Sequence, residues 1–335
     1  MQLNVNKQRL KVIDNHLALY SQSLKSVNEN YKTGLKVLLS SLEEKREIDR
    51  FYFCPFCLTS FICIIFDSLQ GSGEFDLDHY PPKSVKGRNT ILVCKECNSN
   101  FGKEFDHSVK QYLIGMAFLS KKNISINSKF SLSNVKGKYG TDLLWENDVL
   151  VTNIDFKKYP PLQKGLLEAG KTGLNNFSVK LSFSLPHEDL IHKAFLKAAY
   201  LGCFSYWGYD FAISHVGRNI IKVLNNGIKH PLSNMGVFKD ESLSSLNEGL
   251  YYAEFSNELK CFLYAFNSSL RISGQSAKTF VLIPPFKKSS WEELGKFQKI
   301  IPRGEQTITF AKVKGIGVLD SEYLGYTESS MLLFD

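Results

Sequence analysis

Four cysteines stand in two Cys-x-x-Cys pairs, Cys54-Pro55-Phe56-Cys57 and Cys94-Lys95-Glu96-Cys97, with 36 residues between them. Each pair offers two thiolates about one turn apart, and two pairs complete the tetrahedral four-sulfur shell that zinc prefers. Four sulfurs leave no open coordination position, so the expected ion is structural. Seven cysteines in 335 residues are too few and too unevenly placed for a disulfide scaffold, and two such pairs fit zinc better than redox chemistry. The segment between the pairs carries a second set of groups: Asp78-His79, then Tyr80-Pro81-Pro82-Lys83-Ser84, then Asn89, with Asn98 directly after Cys97. An imidazole titrates near neutrality and suits a general base, while carboxylate and amide oxygens suit a hard divalent cation. Lys83, Lys86, Arg88 and Lys103 surround the set, either to grip phosphates or as a solvated basic face.

These groups need a frame. Residues 74–79 alternate polar and apolar as a strand, and Thr90–Val93 read as a second strand running into the second cysteine pair. A helix is expected from Asn98 through Phe101, Phe105, Val109 and Leu113 to about Leu119, with Asn98 also of the type that caps a helix start. The expected unit is strand, loop, strand, helix, pinned at both ends by one zinc ion. His107, beside Asp106, reads as a surface histidine.

This stretch resembles the HNH endonuclease family. The matching text is Leu77-Asp78-His79-Tyr80-Pro81-Pro82-Lys83-Ser84, then Asn89, then Leu92-Val93-Cys94-Lys95-Glu96-Cys97-Asn98, within about residues 51–110. The resemblance implies a ββα-metal fold and phosphodiester hydrolysis in nucleic acid, DNA before RNA. His79 corresponds to the general base that deprotonates water. Asp78 and Asn98 match the positions that hold Mg²⁺ or Mn²⁺, and Asn89 matches the middle Asn that braces the loop so that His79 points correctly. Two departures stand out: the final position is Asn98 rather than the frequent His, and the loop before Asn89 lacks the frequent Gly-Gly. By analogy with the family's biological settings, the arrangement looks like the effector of a bacterial anti-phage defence or restriction system. The competing reading is a non-catalytic zinc ribbon that binds nucleic acid or protein.

The rest of the chain is read as the body that carries this module. The expected fold class is α+β, in three parts: a helical arm over 1–50, the zinc-pinned HNH module over 51–119, and a larger α+β domain over 120–335. In the arm, Leu10, Ile13, Leu17, Tyr20, Leu24 and Val27 recur at alternating three- and four-residue steps, a seam offered to a second copy, to a regulatory protein or to the chain's own core. Beyond 120, strands are expected at Lys129–Leu132, Val149–Ile154 and Ser178–Phe183, helix over 188–226, and a β-rich end over 235–335 with strands at Leu250–Phe255, Leu259–Asn267, Thr279–Ile283, Thr307–Val313 and Gly317–Leu319. The aromatic residues Tyr200, Phe204, Tyr206, Trp207, Tyr209 and Phe211 read as helix core rather than as base-stacking groups. Cys63, Cys203 and Cys261 read as small core residues. A net charge of +8 admits an anionic partner without identifying one. The longest apolar run, Phe61–Phe66, is far short of the ~20 residues a membrane span needs. With no apolar leader at the start, a cytoplasmic protein is expected.

Overall fold

The computed structural model describes residues 11, 13–20, 48–65, 68–71, 73–87, 89–132, 135–172, 179–232, 235–238, 245–255, 259–269, 276–285, 291–295 and 308–312. Of the expected arm, helix α1 (residues 13–20) falls within them. It buries Ile13, Leu17 and Tyr20, and Tyr20 stacks on Phe204 with ring centroids 4.7 Å apart. The described part of the seam therefore packs on the chain's own core. The remainder of the seam lies outside the described residues.

Strands β1 (Ile48–Phe53), β2 (Phe61–Ile65) and β3 (Ser68–Gly71) form an antiparallel meander, and the first cysteine pair sits in the turn between β1 and β2. Strands β4 (Phe75–Tyr80) and β5 (Asn89–Cys94) make a separate antiparallel hairpin, with Phe75 opposite Cys94 and His79 opposite Thr90. Helix α2 (Lys95–Phe101) follows β5 at once and runs through one π turn, Gly102–Asp106, into α3 (His107–Leu119). The expected strand–loop–strand–helix order is present, and its helix ends at Leu119 as anticipated. It starts earlier, however: Cys94 is the N-cap and Asn98 lies inside the first turn, so Asn98 is not a capping residue.

A four-stranded antiparallel sheet follows, in the order β8 (Val149–Asn153), β7 (Val135–Glu146), β6 (Ile126–Leu132), β9 (Val179–Ser182). Helix α4 (Pro160–Thr172) lies between β8 and β9 in sequence. Its Pro160–Pro161 start suits the first helical turn, where a missing N–H goes unnoticed.

Helix α5 (Glu188–Trp207) is the centre of the molecule. Ala194, Leu196, Ala199, Tyr200, Leu201, Cys203 and Phe204 are all buried. A helix apolar on every side must be enclosed on every side. Its neighbours are the β4–β5 hairpin, the π turn, α3 and α7 (His215–Leu224), which follows the short α6 (Tyr209–Ile213). A five-stranded antiparallel sheet covers α5 as well. Its order is β10 (Val237–Phe238), β13 (Ser276–Ile283), β12 (Leu259–Ser269), β11 (Gly249–Phe255), β14 (Ile308–Lys312). The approach is close: a Cβ on Gly202 would stand 2.1 Å from the Tyr264 ring, so only glycine admits the contact. In β12, Phe262, Tyr264 and Phe266 turn toward the main core while Cys261, Leu263 and Ala265 build a second cluster with Leu232 and Leu294. That alternation is the period of two that a strand imposes.

The molecule is thus α+β, and one packed cluster runs from α1 through the hairpin, α3, α5 and the inner face of the last sheet. The boundary expected at 119/120 falls inside this cluster. No helix among the described residues is long and apolar enough to cross a membrane.

Candidate metal centre and the ion network beside it

The turn after β1 and the β5–α2 junction bring the four thiols of Cys54, Cys57, Cys94 and Cys97 within 4.8 Å of one another. Among the described residues this is the one group of His, Cys, Asp or Glu ligands close enough to hold a metal ion. Cys57 Sγ and Cys94 Sγ lie 3.9 Å apart. Two sulfurs each ~2.3 Å from a tetrahedral zinc are separated by about 3.8 Å, so the geometry fits the ion. The Ser60 N–H donates to Cys57 Sγ at 3.5 Å, a hydrogen bond of the kind that steadies a thiolate. Burial pushes the Cys54 thiol up, whereas hydrogen bonding from Cys54 brings the Cys94 thiol down to about 6.

The first cysteine pair is clasped by side chains from far along the chain. Tyr200 Oη donates to the Pro55 carbonyl at 2.6 Å. Tyr209 Oη accepts from the Phe53 N–H and donates to the Phe53 carbonyl, both at 2.7 Å. Arg218 donates to the Phe56 carbonyl at 3.2 Å. Buried backbone groups need partners, and a cysteine turn supplies few of its own. The aromatic stretch is core, as its pattern suggests, and two of its hydroxyls also shape the first cysteine turn.

On β4, successive side chains point to opposite faces, so Asp78 and His79 face apart. Asp78 is 3% exposed. The Lys197 ammonium on α5 lies 3.0 Å from its Oδ1 and 2.8 Å from its Oδ2, with only Oδ1 accepting a well-directed hydrogen bond. The same ammonium donates to both carboxylate oxygens of Asp106 at 3.1 Å. Asp106 closes the π turn. By lodging an extra residue in its turn, a π turn re-aims the side chains that follow. Burial alone would lower the Lys197 pKa, but the two aspartates more than reverse that. Burial raises both carboxyls against the pull of Lys197, Asp106 to about 6. With two carboxylates around one buried amine at these distances, the ammonium form is the one the geometry holds.

This placement corrects the expectation for Asp78 as a Mg²⁺ or Mn²⁺ ligand. A hydrated divalent cation needs a reachable carboxylate oxygen and room for its waters. Here both oxygens face Lys197, and Oδ2 has no exposed surface and no hydrogen bond. The site does not fit the ion as it stands.

The other expected residues divide. His79 is half-buried, with its pKa lowered first by burial and then by the nearby Lys83 cation, while Asp78 and Asp76 pull the other way. It is therefore poised to be neutral and able to accept a proton. Lys83 is exposed on a short 3-10 turn, Lys83–Val85, in the loop after β4; Lys86 caps that turn in the left-handed region (φ 67°) and Lys103 is exposed on the π turn. Asn98 is half-buried on α2. Asn89 stands opposite Tyr80 where the loop closes, and its side chain donates to Glu248 at 2.9 Å, which ties the hairpin to the residue before β11. Arg88 lies outside the described residues. Cys203 and Cys261 are buried as expected, and His107 is exposed.

Lys197 and Asp106 were not anticipated as a pair. A signal for the first exists: Lys197 sits in Ala194-Phe195-Leu196-Lys197-Ala198-Ala199, a run apolar on all sides of a helix. A charge in such a run must be buried, and a buried charge must be paired. Nothing in the local sequence names the partner. No family model, curated protein or solved structure matches the chain, so its function is read from the site's own geometry.

Proposed function

We propose that the chain is a nuclease that hydrolyses phosphodiester bonds, DNA being the first substrate to test, with His79 as the general base on water. The observation that carries the reading is the position of His79: half-buried on the first strand of a ββα unit whose ends converge on a four-thiol metal centre. Its lowered pKa leaves the imidazole free to accept a proton at neutral pH. Lys83 lies close enough to act on it electrostatically and is exposed, a cation within reach of a phosphate held against the imidazole. Lys86 and Lys103 add positive charge on exposed surface. A zinc ion held by Cys54, Cys57, Cys94 and Cys97 would tie the hairpin to the β1–β2 turn, and four thiolate ligands would leave it no open position for the chemistry. No step is assigned to Mg²⁺ or Mn²⁺, because the carboxylate expected to hold that ion is already paired.

The same pairing favours a second reading, a non-catalytic zinc module that binds nucleic acid through its basic surface. One series separates the two. Plasmid, oligonucleotide and RNA are incubated with wild type and His79→Ala, in Mg²⁺, in Mn²⁺ and with divalent cations removed. Strand scission by wild type that drops at least ~100-fold in the variant supports the nuclease. Equal scission by both proteins rejects His79 as the base. Salt-dependent binding without scission under any condition replaces the nuclease by the binding module.

A further inference from the structure

Asp78 and Asp106 come from elements that the zinc-pinned unit itself supplies, the first strand and the end of the π turn. Their carboxylates meet across one gap. Into that gap reaches a side chain from another part of the fold, and the ion it brings has the charge sign and the oxygen-rich surroundings of a metal. Its nitrogen stands 2.8 to 3.1 Å from the carboxylate oxygens. Lys197 is 1% exposed, and the two carboxylates are the partners its ammonium meets. Two carboxylates and one ammonium leave a formal charge of −1, whereas a divalent ion in the ammonium's place would bring the sum to zero. Asp78 Oδ2 is held in this gap by the ammonium's charge at 2.8 Å, without a directed hydrogen bond.

We infer that Lys197 is a tethered cation occupying a latent divalent-metal site made by Asp78 and Asp106. While the lysine is in place, the protein binds no Mg²⁺ or Mn²⁺ through Asp78. When its side chain is cut back, the space of the four-carbon stem opens. The two carboxylates then admit a hydrated hard cation, whose oxygen ligands close to about 2.0–2.2 Å. The helix that completes the core therefore also decides which cation the hairpin carries.

The test is Mn²⁺ binding by the zinc-loaded full chain, read from the electron paramagnetic resonance signal of free Mn²⁺. Wild type and Asp78→Asn should bind Mn²⁺ alike. Lys197→Ala should gain a single site, roughly tenfold or more tighter than anything in wild type, and the double variant Lys197→Ala/Asp78→Asn should lose it. Ethylammonium, which restores the missing charge, should displace Mn²⁺ from Lys197→Ala. A Mn²⁺ site in wild type that Asp78→Asn abolishes overturns the inference, as does a folded, zinc-loaded Lys197→Ala that gains no site. The wild-type comparison keeps its force even if Lys197→Ala does not fold. Cleavage is not part of the readout, so a failed nuclease test and a failed metal test are separate results.

Discussion

The β4–β5 hairpin carries a charge cluster toward each end, and the two draw their cations from different sources. At the Phe75–Cys94 end, four thiols converge closely enough to hold a metal ion taken from solution. Nearer the other end, Asp78 and Asp106 are neutralised from within, by a lysine 119 residues from the first and 91 from the second. The contrast follows from ligand chemistry. Soft thiolates bind zinc tightly enough to make the ion part of the fold, whereas an amine serves carboxylates nearly as well as a hard cation does. It also separates what chelation can undo from what only mutation can.

The largest effect should come from breaking the first cluster. Cys94→Ser, or stripping zinc with a strong chelator, should abolish cooperative unfolding followed by circular dichroism, since structural zinc contributes ~10–16 kcal/mol in small domains at neutral pH. Elemental analysis of native protein should find one zinc per chain. A zinc-free chain with an unchanged melting curve would contradict the four-thiol centre.

Breaking the second cluster should matter less and should be insensitive to chelators. Lys197→Met leaves two buried carboxylates without a counter-charge and should cost about 3–5 kcal/mol in urea denaturation. Neutralising all three positions together, as Asp78→Asn/Asp106→Asn/Lys197→Met, should recover much of that loss. If the triple variant is no better than the single one, the charges are not what the lysine serves.

A third buried group, His230, sharpens the comparison because no carboxylate among the described residues pairs with it. Its Nδ1 accepts from the Leu232 N–H at 3.1 Å, its Nε2 has no hydrogen-bond partner, and its ring lies edge-on to Trp291. Burial lowers its pKa from 6.5 to about 4, so it stays neutral instead of pairing. Between those two values the unfolded chain takes up the proton first. The His230 contribution is therefore whole above pH 6.5, falls as pH falls, and is gone below about 4, a span of about 3 kcal/mol. Comparing wild type with His230→Gln by urea denaturation at pH 7, 5 and 4 checks this, since the variant should lose less on acidification.

Smaller again is the clasp on the first cysteine turn. Tyr209→Phe removes both bonds to the Phe53 backbone and should cost about 1–3 kcal/mol, with easier loss of zinc to a competing chelator. The Lys95–Glu74 pair, 2.6 Å apart but mostly exposed on both sides, sets the floor: Lys95→Ala should stay within about 0.5 kcal/mol of wild type.

These clusters differ equally in how far they can be read from sequence. The thiol centre is legible because its ligands come in short pairs whose spacing is itself the geometry. The hairpin and the helix to Leu119 are legible because alternation and helical period are local signals. The strands near 129, 149, 179 and 250–283 come out within a few residues for the same reason. The Asp78–Lys197–Asp106 network is not legible, because which buried lysine meets which aspartate is decided by the packing of α5 against the hairpin. The resemblance assigned Asp78 a metal from its motif position, and only the fold shows the amine already there. The partner of Asn89 is equally hidden from the sequence, since Glu248 is 159 residues away. Helix α4 was missed because its Pro160–Pro161 start reads as a break, although proline in a first turn is compatible with a helix.

The grip of Tyr200, Tyr209 and Arg218 on the first cysteine turn also sets an order of events during synthesis. Both cysteine pairs leave the ribosome long before Arg218 does, an interval on the order of ten seconds at ~5–20 residues per second. Through that interval the thiols can already meet zinc, but the Phe53, Pro55 and Phe56 carbonyls are open to water and Asp78 has no lysine. The four-cysteine unit is thus finished by the half of the chain made last. Transplanted by itself into another protein, the segment 51–119 would arrive without its clasp or its internal cation.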